Sequence, residues 1–324
     1  MSAPMKVLVT GATGFVGQML CAQLSGQGHE VRGSVRGTSR VALPTVTVKL
    51  GEIGPTTDWS AAVDGVDAVV HLAARVHILE DAVADALSEY RRINVEGTRS
   101  LAAASLRAGV RRLVFLSSAK VYGERSARPF TEGVPPHPED AYAVSKLEAE
   151  EALKDALAGG RTKWTILRPP LVYGPGVRAN FLQLMRAVAR GMPLPLARID
   201  NRRSLVYVGN LVDAIEACLE AEAAAGKTWP VSDGEDLSTP ELVRRFARAL
   251  NRPARLVPVP IPLLRLAGGL SGRSATVRRL VESLQVDATA IRVALPWTPP
   301  FSVDQGLQET IRWFRSVQAG AGGF

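Results

Sequence analysis

The sequence predicts an α/β fold in which a doubly wound parallel β-sheet is followed by a smaller carboxyl-terminal lobe. An apolar segment at residues 7–10 runs into a glycine-rich turn and then into a helical pattern. Short apolar strands alternate with helical patterns as far as residue 170, which is typical of a parallel sheet covered on both faces. After Pro169 the pattern loosens, because proline and glycine become frequent and shorter helices dominate.

The first element is a strand, a tight turn and the opening of a helix that continues through Leu24. Gly11 permits the turn, Gly14 lets backbone N–H groups approach a pyrophosphate, and Gly17 lets the helix pack closely on the strand. This arrangement predicts a dinucleotide site. The alternative interpretation is an ordinary strand–turn–helix connection.

The remaining elements follow in order along the chain. The further candidate strands are residues 30–35, 46–49, 68–72, 113–117 and 164–168, and two longer helical patterns cover residues 81–108 and 140–157. We assign residues 1–170 to a Rossmann-type dinucleotide-binding domain and residues 171–203 and 231–324 to a smaller substrate-binding lobe. We expect residues 204–230, with a strand near 205–208, to return to the first domain.

Composition and charge exclude nucleic acid as a partner. The chain has 324 residues, of which 46% are hydrophobic, so it can bury a large core. The net charge of +8 comes from basic residues scattered along the chain, and only 6% of the residues are aromatic. A small anionic ligand such as a dinucleotide or a nucleotide sugar accounts for this charge without a nucleic-acid surface.

The sequence also predicts a cytoplasmic protein with no membrane partner. No apolar stretch reaches the roughly 18 residues of a membrane span, and no secretion signal precedes the first strand. Cys21 and Cys218 each fall in a helical apolar pattern, far apart in the chain, which favours reduced thiols in a core. No metal site is expected.

Tyr142 and Lys146 are candidate catalytic residues because helical spacing places them on one face, where an ammonium group stabilises a phenolate. Such a pair exchanges a proton with a sugar or alcohol oxygen, although the same spacing arises by chance. Ser118, at the end of an apolar run, is the candidate that binds the same oxygen. Its alternatives are a serine that only caps a turn, or the adjacent Ser117 in its place.

Taken together, the motifs resemble the extended short-chain dehydrogenase/reductase family, which contains nucleotide-sugar epimerases, dehydratases and ketoreductases. The resemblance covers nearly the whole chain. It rests on Thr10 to Gly17, His71-Leu72-Ala73-Ala74, Asn94-Val95-Glu96-Gly97-Thr98, Ser117 to Gly123, Tyr142 to Lys146, Leu167-Arg168-Pro169-Pro170 and Leu295-Pro296-Trp297-Thr298-Pro299, where Pro296 replaces the glycine of the family. Within the family, the chain resembles the branch of UDP-N-acetylquinovosamine 4-ketoreductases and UDP-glucose 4-epimerases.

The resemblance implies roles for specific residues. Tyr142 is the expected acid or base, Lys146 lowers the pKa of Tyr142 and holds the nicotinamide ribose, and Ser118 holds the substrate oxygen. The residues implied in cofactor binding are Gly11, Thr13, Gly14, Phe15, Val16, Gly17, Arg36, Glu52, Ile53, Leu72, Ala73, Ala74, Asn94, Tyr142, Lys146 and Pro169.

Two departures from the family pattern narrow the expected reaction and cofactor. Sugar 4,6-dehydratases of the family carry an Asp-Glu pair where this chain has Ala119 and Lys120, so we expect no elimination of water. Members that select NAD usually end the second strand with an acidic residue, whereas this chain has Arg36 there. A guanidinium favours a 2′-phosphate, so NADP is preferred slightly over NAD, and Arg32 and Arg40 add to the positive charge.

On the substrate side, the resemblance implies contacts from Asn180 and Arg203 to a nucleotide diphosphate, and from Ser118 and Lys120 to the sugar. Each could instead be a helix cap or a surface charge, and His77 could reach the sugar or be structural. The expected reaction is reduction of a UDP-4-keto-6-deoxy-N-acetylhexosamine. The alternatives are a 4-epimerase with retained NAD and, more distantly, a non-catalytic dinucleotide-sensing regulator. The family also implies a homodimer paired through helices 81–108 and 140–157.

Overall fold

The computed structural model describes residues 3–37, 42–76 and 85–321, with side chains described as far as residue 318. His77 and Arg40, which the sequence analysis named, lie outside the described residues. The strands are β1 (Lys6–Thr10), β2 (Glu30–Val35), β3 (Val46–Lys49), β4 (Ala68–His71), β5 (Arg112–Leu116), β6 (Lys163–Arg168), β7 (Leu171–Tyr173), β8 (Arg203–Tyr207), β9 (Lys227–Pro230) and β10 (Asp236–Leu237). The α-helices are α1 (Phe15–Gly26), α2 (Ser60–Val63), α3 (Ala86–Tyr90), α4 (Gly97–Arg107), α5 (Ala141–Leu157), α6 (Ala179–Ala189), α7 (Val208–Glu220), α8 (Thr239–Leu250), α9 (Ile261–Leu270), α10 (Ser274–Val281), α11 (Thr289–Ala294) and α12 (Val303–Ala321).

Seven parallel strands form the main sheet in the order β3-β2-β1-β4-β5-β6-β9. Alternate strand residues enter different core clusters: Val7 and Val9 belong to one cluster, and Leu8 belongs to another. Because side chains alternate across a strand, the sheet is buried on both faces, as a doubly wound sheet requires. The predicted fold class is therefore confirmed.

The carboxyl ends of the central strands define where a ligand can bind. The strand order reverses between β1 and β4, and a doubly wound sheet binds ligands in the crevice at this point. Thr10, His71, Leu116 and Arg168 end β1, β4, β5 and β6, so they lie along the same edge. The loops and helices that follow these strands carry the predicted site residues.

A second sheet has three strands in the order β10-β8-β7, with β8 antiparallel to β10 and parallel to β7. The expectation that a strand near 205–208 returns to the large sheet is therefore wrong, because β8 pairs in this smaller sheet. The segment that rejoins the large sheet is β9, which pairs with β6. The division of the chain into two lobes stays a prediction.

Within the described residues, the helical pattern predicted at 81–108 forms three successive helical segments. Here α3 leads into a π-helical segment at Arg91–Glu96 and then into α4. The pattern at 140–157 forms one helix, α5, which begins where Asp140 Oδ1 accepts a hydrogen bond from Ala143 N at 2.7 Å. Within the described parts of the chain, no helix has the length and apolar character needed to span a bilayer.

Candidate active site

The glycine turn between β1 and α1 leaves no room for side chains. Gly11 has a φ of +68°, and a Cβ added to Gly17 would lie 2.2 Å from the carbonyl oxygen of Gly11. A Cβ on Gly14 would lie 3.0 Å from the same oxygen. Residues 13–17 close the turn and open α1, which begins without a side-chain cap. The uncovered backbone and the free N–H groups of the helix amino terminus fit the pyrophosphate of a dinucleotide.

A chain of hydrogen bonds fixes the loop after β4. Thr10 Oγ1 accepts hydrogen bonds from the N–H groups of Leu72 and Ala73, both at 3.1 Å, so its own proton is directed to His71 Nδ1 at 2.6 Å. His71 Nε2 then donates to Thr98 Oγ1 at 3.0 Å. Burial, with a contribution from Lys146, lowers the pKa of His71 to about 3. The imidazole is therefore neutral, in the tautomer that this network requires.

Asn94 connects that loop to the helix that carries the candidate acid. Its Oδ1 accepts from Arg75 N at 2.7 Å, and its Nδ2 donates to Arg75 O at 3.1 Å and to Ser145 Oγ at 2.9 Å. Ser145 Oγ in turn donates to Tyr142 O at 2.8 Å. The buried amide of Asn94 lies in the π-helical segment. Asn94 was predicted to bind cofactor, and in this structure its side chain fixes the loop after β4, with residues 72–74, against α5.

The two candidate serines differ in their surroundings. Ser117 is buried, and its hydroxyl donates to Glu150 Oε1. Ser118 is half-buried, and its Oγ accepts from Lys120 N at 3.2 Å, so it caps the short 3₁₀ turn Ala119–Tyr122. Ala119 N donates to Pro169 O at 2.8 Å, which ties this turn to the end of β6. Ser118 therefore lies at the sheet edge with a hydroxyl proton that it can donate to a ligand.

Tyr142, Lys146 and Glu150 form a stripe along α5 with a spacing of four residues. Burial lowers the pKa of Lys146 to about 7, although the Glu150 carboxylate raises it, and Lys146 Nζ lies 4.0 Å from the centre of the Phe115 ring. The pKa of Tyr142 is raised, because burial and then Asp140 and Tyr90 disfavour its phenolate. The expectation that Lys146 lowers the pKa of Tyr142 does not hold here. Burial is the largest cause of the rise, and Lys146 is itself only partly charged near neutral pH.

Beneath this stripe, a buried ion pair holds the helix against the sheet. Arg168 Nε and Nη2 donate to the two carboxylate oxygens of Glu150 at 3.0 and 2.5 Å. Both side chains are almost completely buried. The same carboxylate accepts from Ser117, which immediately precedes Ser118. Glu150 therefore contacts the turn that carries the candidate serine and acts electrostatically on the candidate lysine.

The residues predicted to meet the adenosine end of a cofactor have mixed surroundings. Arg36 is exposed just after β2, where a guanidinium can reach a phosphate. Arg32 Nη1 instead donates to three carbonyl oxygens at and after α2, those of Ala61, Ala62 and Asp64, so its charge is used within the fold. Glu52 pairs with Arg92 Nη2 at 2.8 Å. Ile53 packs against Gly97, where an added Cβ would lie 2.5 Å from its Cγ2.

The residues predicted to contact substrate differ in their hydrogen-bond partners and in their burial. Lys120 Nζ donates to Glu124 Oε1 at 2.9 Å and to Asp140 Oδ2 at 2.5 Å. Arg203 Nη1 donates to the carbonyls of Arg279 and Glu282 at 3.0 and 2.9 Å. Burial, and then the charge of Arg279, lowers the pKa of Arg203. Asn180 is half-buried in the first turn of α6.

Comparisons with known proteins identify the family of the chain. The NAD dependent epimerase/dehydratase family matches residues 7–231. The chain belongs to this family. Among curated relatives, a UDP-glucose 4-epimerase of Vibrio cholerae is 40% identical over 96% of each chain. An N-acetyl-α-D-glucosaminyl-diphospho-ditrans,octacis-undecaprenol 4-epimerase of Escherichia coli O157:H7 is 30% identical over 95% of each chain.

Solved structures of similar proteins cover the whole fold. MoeE5 in complex with UDP-glucuronic acid and NAD is 27% identical, with a TM-score of 0.78 over 96% of this chain and 99% of that one. A putative epimerase from Burkholderia cenocepacia J2315 is 28% identical, with a TM-score of 0.79 over 97% and 100%. The family resemblance inferred from the motifs is therefore confirmed. The chain is an enzyme of the NAD dependent epimerase/dehydratase family.

Three features of the site could not be read, or were not read, from the sequence: Glu150, the partner of Arg168 and the relay through His71. Glu150 continues the four-residue spacing of Tyr142 and Lys146, and that periodicity could have found it. Arg168 was quoted only as part of a landmark, and its partner could not be identified because the two residues belong to different elements. The relay through Thr10, His71 and Thr98 likewise joins residues from β1, β4 and α4.

Proposed function

We propose that this enzyme interconverts the C4 epimers of a UDP-linked hexose or N-acetylhexosamine and retains NAD through each turnover. The observation that carries the proposal is the Tyr142–Lys146–Glu150 stripe beside Ser118, at the sheet edge that also presents the glycine turn. The full-length similarity to a UDP-glucose 4-epimerase supports C4 of a nucleotide sugar as the reacting position.

Each catalytic side chain has a distinct role in this proposal. The glycine turn at residues 11–17 would hold NAD, which would supply the hydride acceptor for C4 and the hydride donor for the return step. As a phenolate, Tyr142 takes the proton of the C4 hydroxyl, and as the resulting phenol it later gives the proton back; the ammonium form of Lys146 stabilises the phenolate before the first step and after the second. Ser118 donates its hydroxyl proton to the same substrate oxygen and keeps it in line with the phenol. Glu150 favours the charged form of Lys146.

The substrate side must allow the 4-keto sugar to turn before the hydride returns. Arg203 is suited to bind the nucleotide diphosphate. Its planar guanidinium donates to backbone carbonyls through Nη1, and its other N–H groups can be directed to phosphate. Asn180 and Lys120 are proposed to line the same region. Lys120 is already paired with two carboxylates, so it contributes less net charge than sequence suggested.

Reduction of a UDP-4-keto-6-deoxy-N-acetylhexosamine is the second candidate function, and the exposed Arg36 favours it. A reductase exchanges its cofactor in every cycle, and a guanidinium at the end of β2 suits the 2′-phosphate of NADPH. Arg36→Asp tests this preference. If NADP is the cofactor, the ratio of NADP to NAD affinity should fall at least tenfold in this variant, as measured by titration of both dinucleotides. An unchanged ratio would exclude a role for Arg36.

The deciding experiment follows C4 configuration by NMR with UDP-glucose, UDP-galactose and their N-acetyl forms, without added cofactor. A parallel arm uses a sugar diphosphate linked to a polyprenol, because the E. coli relative is named for such a substrate. We expect epimerisation, and a ~10²–10⁴-fold loss in Tyr142→Phe. The matched control, Tyr207→Phe, lies in β8 and should remain active. Stoichiometric oxidation of NADPH by a 4-keto sugar, without epimerisation, would show that the enzyme is a reductase and not an epimerase.

A further inference from the structure

Helix α9 presents leucines on two opposite faces. Leu264 packs against the main core, and Gly268 is buried where an added Cβ would lie 2.6 Å from Val277 Cγ2 on α10. On the other side, Leu263, Leu266 and Leu270 are 55, 60 and 84% exposed. Their spacing of three and four residues places these three side chains in one stripe, which we call the α9 leucine face. An exposed stripe of this kind marks an interaction surface.

The surrounding segment carries positive charge and no acid. Residues 242–281 contain nine arginines and no aspartate, glutamate or lysine. Some of these arginines form ion pairs elsewhere, such as Arg278 with Glu124 at 3.5 Å. Arg252, Arg255 and Arg273 are exposed, and no ion pair joins them to the rest of the described chain. Arg252 and Arg255 precede α9 in the chain and Arg273 follows it, and the charge of these exposed side chains complements an anionic surface.

The helix pair α9–α10 also borders the candidate substrate side. Arg203 donates to the carbonyls of Arg279, in the last turn of α10, and of Glu282, which follows it. Arg278 reaches Glu124, which also binds Lys120. The carboxyl end of α10, which packs against α9, therefore contacts residues that are proposed to bind the sugar diphosphate.

We propose that α9 docks the enzyme on an anionic lipid bilayer, with Leu263, Leu266 and Leu270 inserted among the headgroups and the surrounding arginines on lipid phosphates. Leucine insertion combined with basic residues is the chemistry of interfacial helices, and neither component requires a spanning segment. This proposal replaces the expectation from sequence that no membrane takes part. It does not depend on which reaction the site performs.

The test is sedimentation of the full chain with vesicles of phosphatidylethanolamine and phosphatidylglycerol (3:1), compared with vesicles of phosphatidylcholine. We expect the protein to pellet with the anionic vesicles and to be released when salt rises from 0.1 to 0.5 M. The triple variant Leu263→Ser, Leu266→Ser, Leu270→Ser should bind at least tenfold more weakly. The matched control is Val293→Ser, an 80% exposed residue on α11, and it should bind like the wild type.

Two further measurements separate docking from altered folding or self-association. Leu266→Trp keeps the face apolar, and its fluorescence should shift to the blue with anionic vesicles alone. Arg252→Gln, Arg255→Gln, Arg273→Gln should reduce binding at least fivefold while the leucines stay in place. Equal pelleting with phosphatidylcholine, no pelleting with either vesicle, or a leucine variant that changes only the oligomeric mass would overturn the proposal. The last result would assign the face to a second copy of the chain.

Discussion

Replacing Lys146 with methionine should stabilise the protein in a pH-dependent way while abolishing its activity. Lys146 is buried on α5, and burial lowers its pKa from the ordinary 10.5 to about 7 in spite of the nearby Glu150. A buried ammonium group is therefore a cost to folding whenever it is charged. Methionine has a similar length and no charge, so it removes that cost without creating a large cavity.

The magnitude follows from the interval between the two pKa values. The pKa of Lys146 falls from 10.5 to about 7, and at ~1.4 kcal/mol per pKa unit this shift corresponds to ~5 kcal/mol. The contact of the Lys146 ammonium with the Phe115 ring offsets up to about 2 kcal/mol, which leaves ~3 kcal/mol. Between pH 7 and 10.5 the unfolded state binds more protons than the folded state, so the free energy of unfolding of the wild type rises with pH in this window.

The assay is urea unfolding of the wild type and Lys146→Met at pH 6, 8 and 10. The variant should be more stable by ~3 kcal/mol at pH 6, where the cost of the charged lysine is fully present, and the difference should shrink steadily toward pH 10. Lys154→Met, on the same helix, is the matched control and should show no such trend. A difference that is constant at every pH, or a destabilised variant at pH 6, would refute the reasoning.

Two other substitutions test the buried Glu150–Arg168 ion pair and the glycine turn. Glu150→Gln leaves the buried Arg168 without its charge partner, so the free energy of unfolding in urea should fall by ~3–5 kcal/mol. The matched control, Glu151→Gln, changes an exposed neighbour and should alter stability little. Equal effects of the two variants would contradict a structural role for the Glu150–Arg168 pair. Gly17→Ala places a Cβ 2.2 Å from a carbonyl oxygen, so dinucleotide affinity measured by fluorescence titration should fall at least tenfold. Gly26→Ala, which meets nothing within 4 Å, should bind normally, and normal binding by both variants would show that the turn tolerates a side chain.

Much of the large sheet was predictable because its central strands, β1, β4 and β5, are short apolar runs. The predicted strands at 30–35 and 46–49 have the observed bounds, and the others differ by one residue at one end or, for 113–117, at both ends. The assignment of β8 failed because an apolar run predicts a strand but not the neighbour with which it pairs, and that neighbour is set by distant residues. The π-helical segment was missed for a related reason, since Asn94 stabilises it through Arg75 and Ser145.

Motif spacing was informative about which residues gather at the site, but it could not give their electrostatics. Tyr142 and Lys146 are one turn apart, as predicted, yet the pKa of the phenol moves upward. Desolvation depends on everything packed around a group, the charges of Asp140 and Tyr90 act in the same direction, and no local sequence pattern reports either effect. The preference for Ser118 over Ser117 stays a prediction, and the structure adds an argument that spacing did not supply, because the hydroxyl of Ser117 already donates to Glu150.

The structure also bears on why this site should exchange one proton and not eliminate water. Ala119 and Lys120 replace the acid pair that a dehydratase of the family carries, but two other carboxylates, those of Glu124 and Asp140, lie within 3 Å of the Lys120 ammonium. An elimination needs a carboxylic acid that can donate a proton and a free carboxylate that can accept one. Here both carboxylates are held as acceptors by the lysine, and Asp140 also caps α5 through its second oxygen. Lys120→Ala would release them, so a gain of 4,6-elimination in that variant, measured as formation of the 4-keto-6-deoxy sugar, would show that the pairing suppresses the reaction. We expect no gain, because neither carboxylate follows Ser118 directly, where the acids of a dehydratase of this family stand.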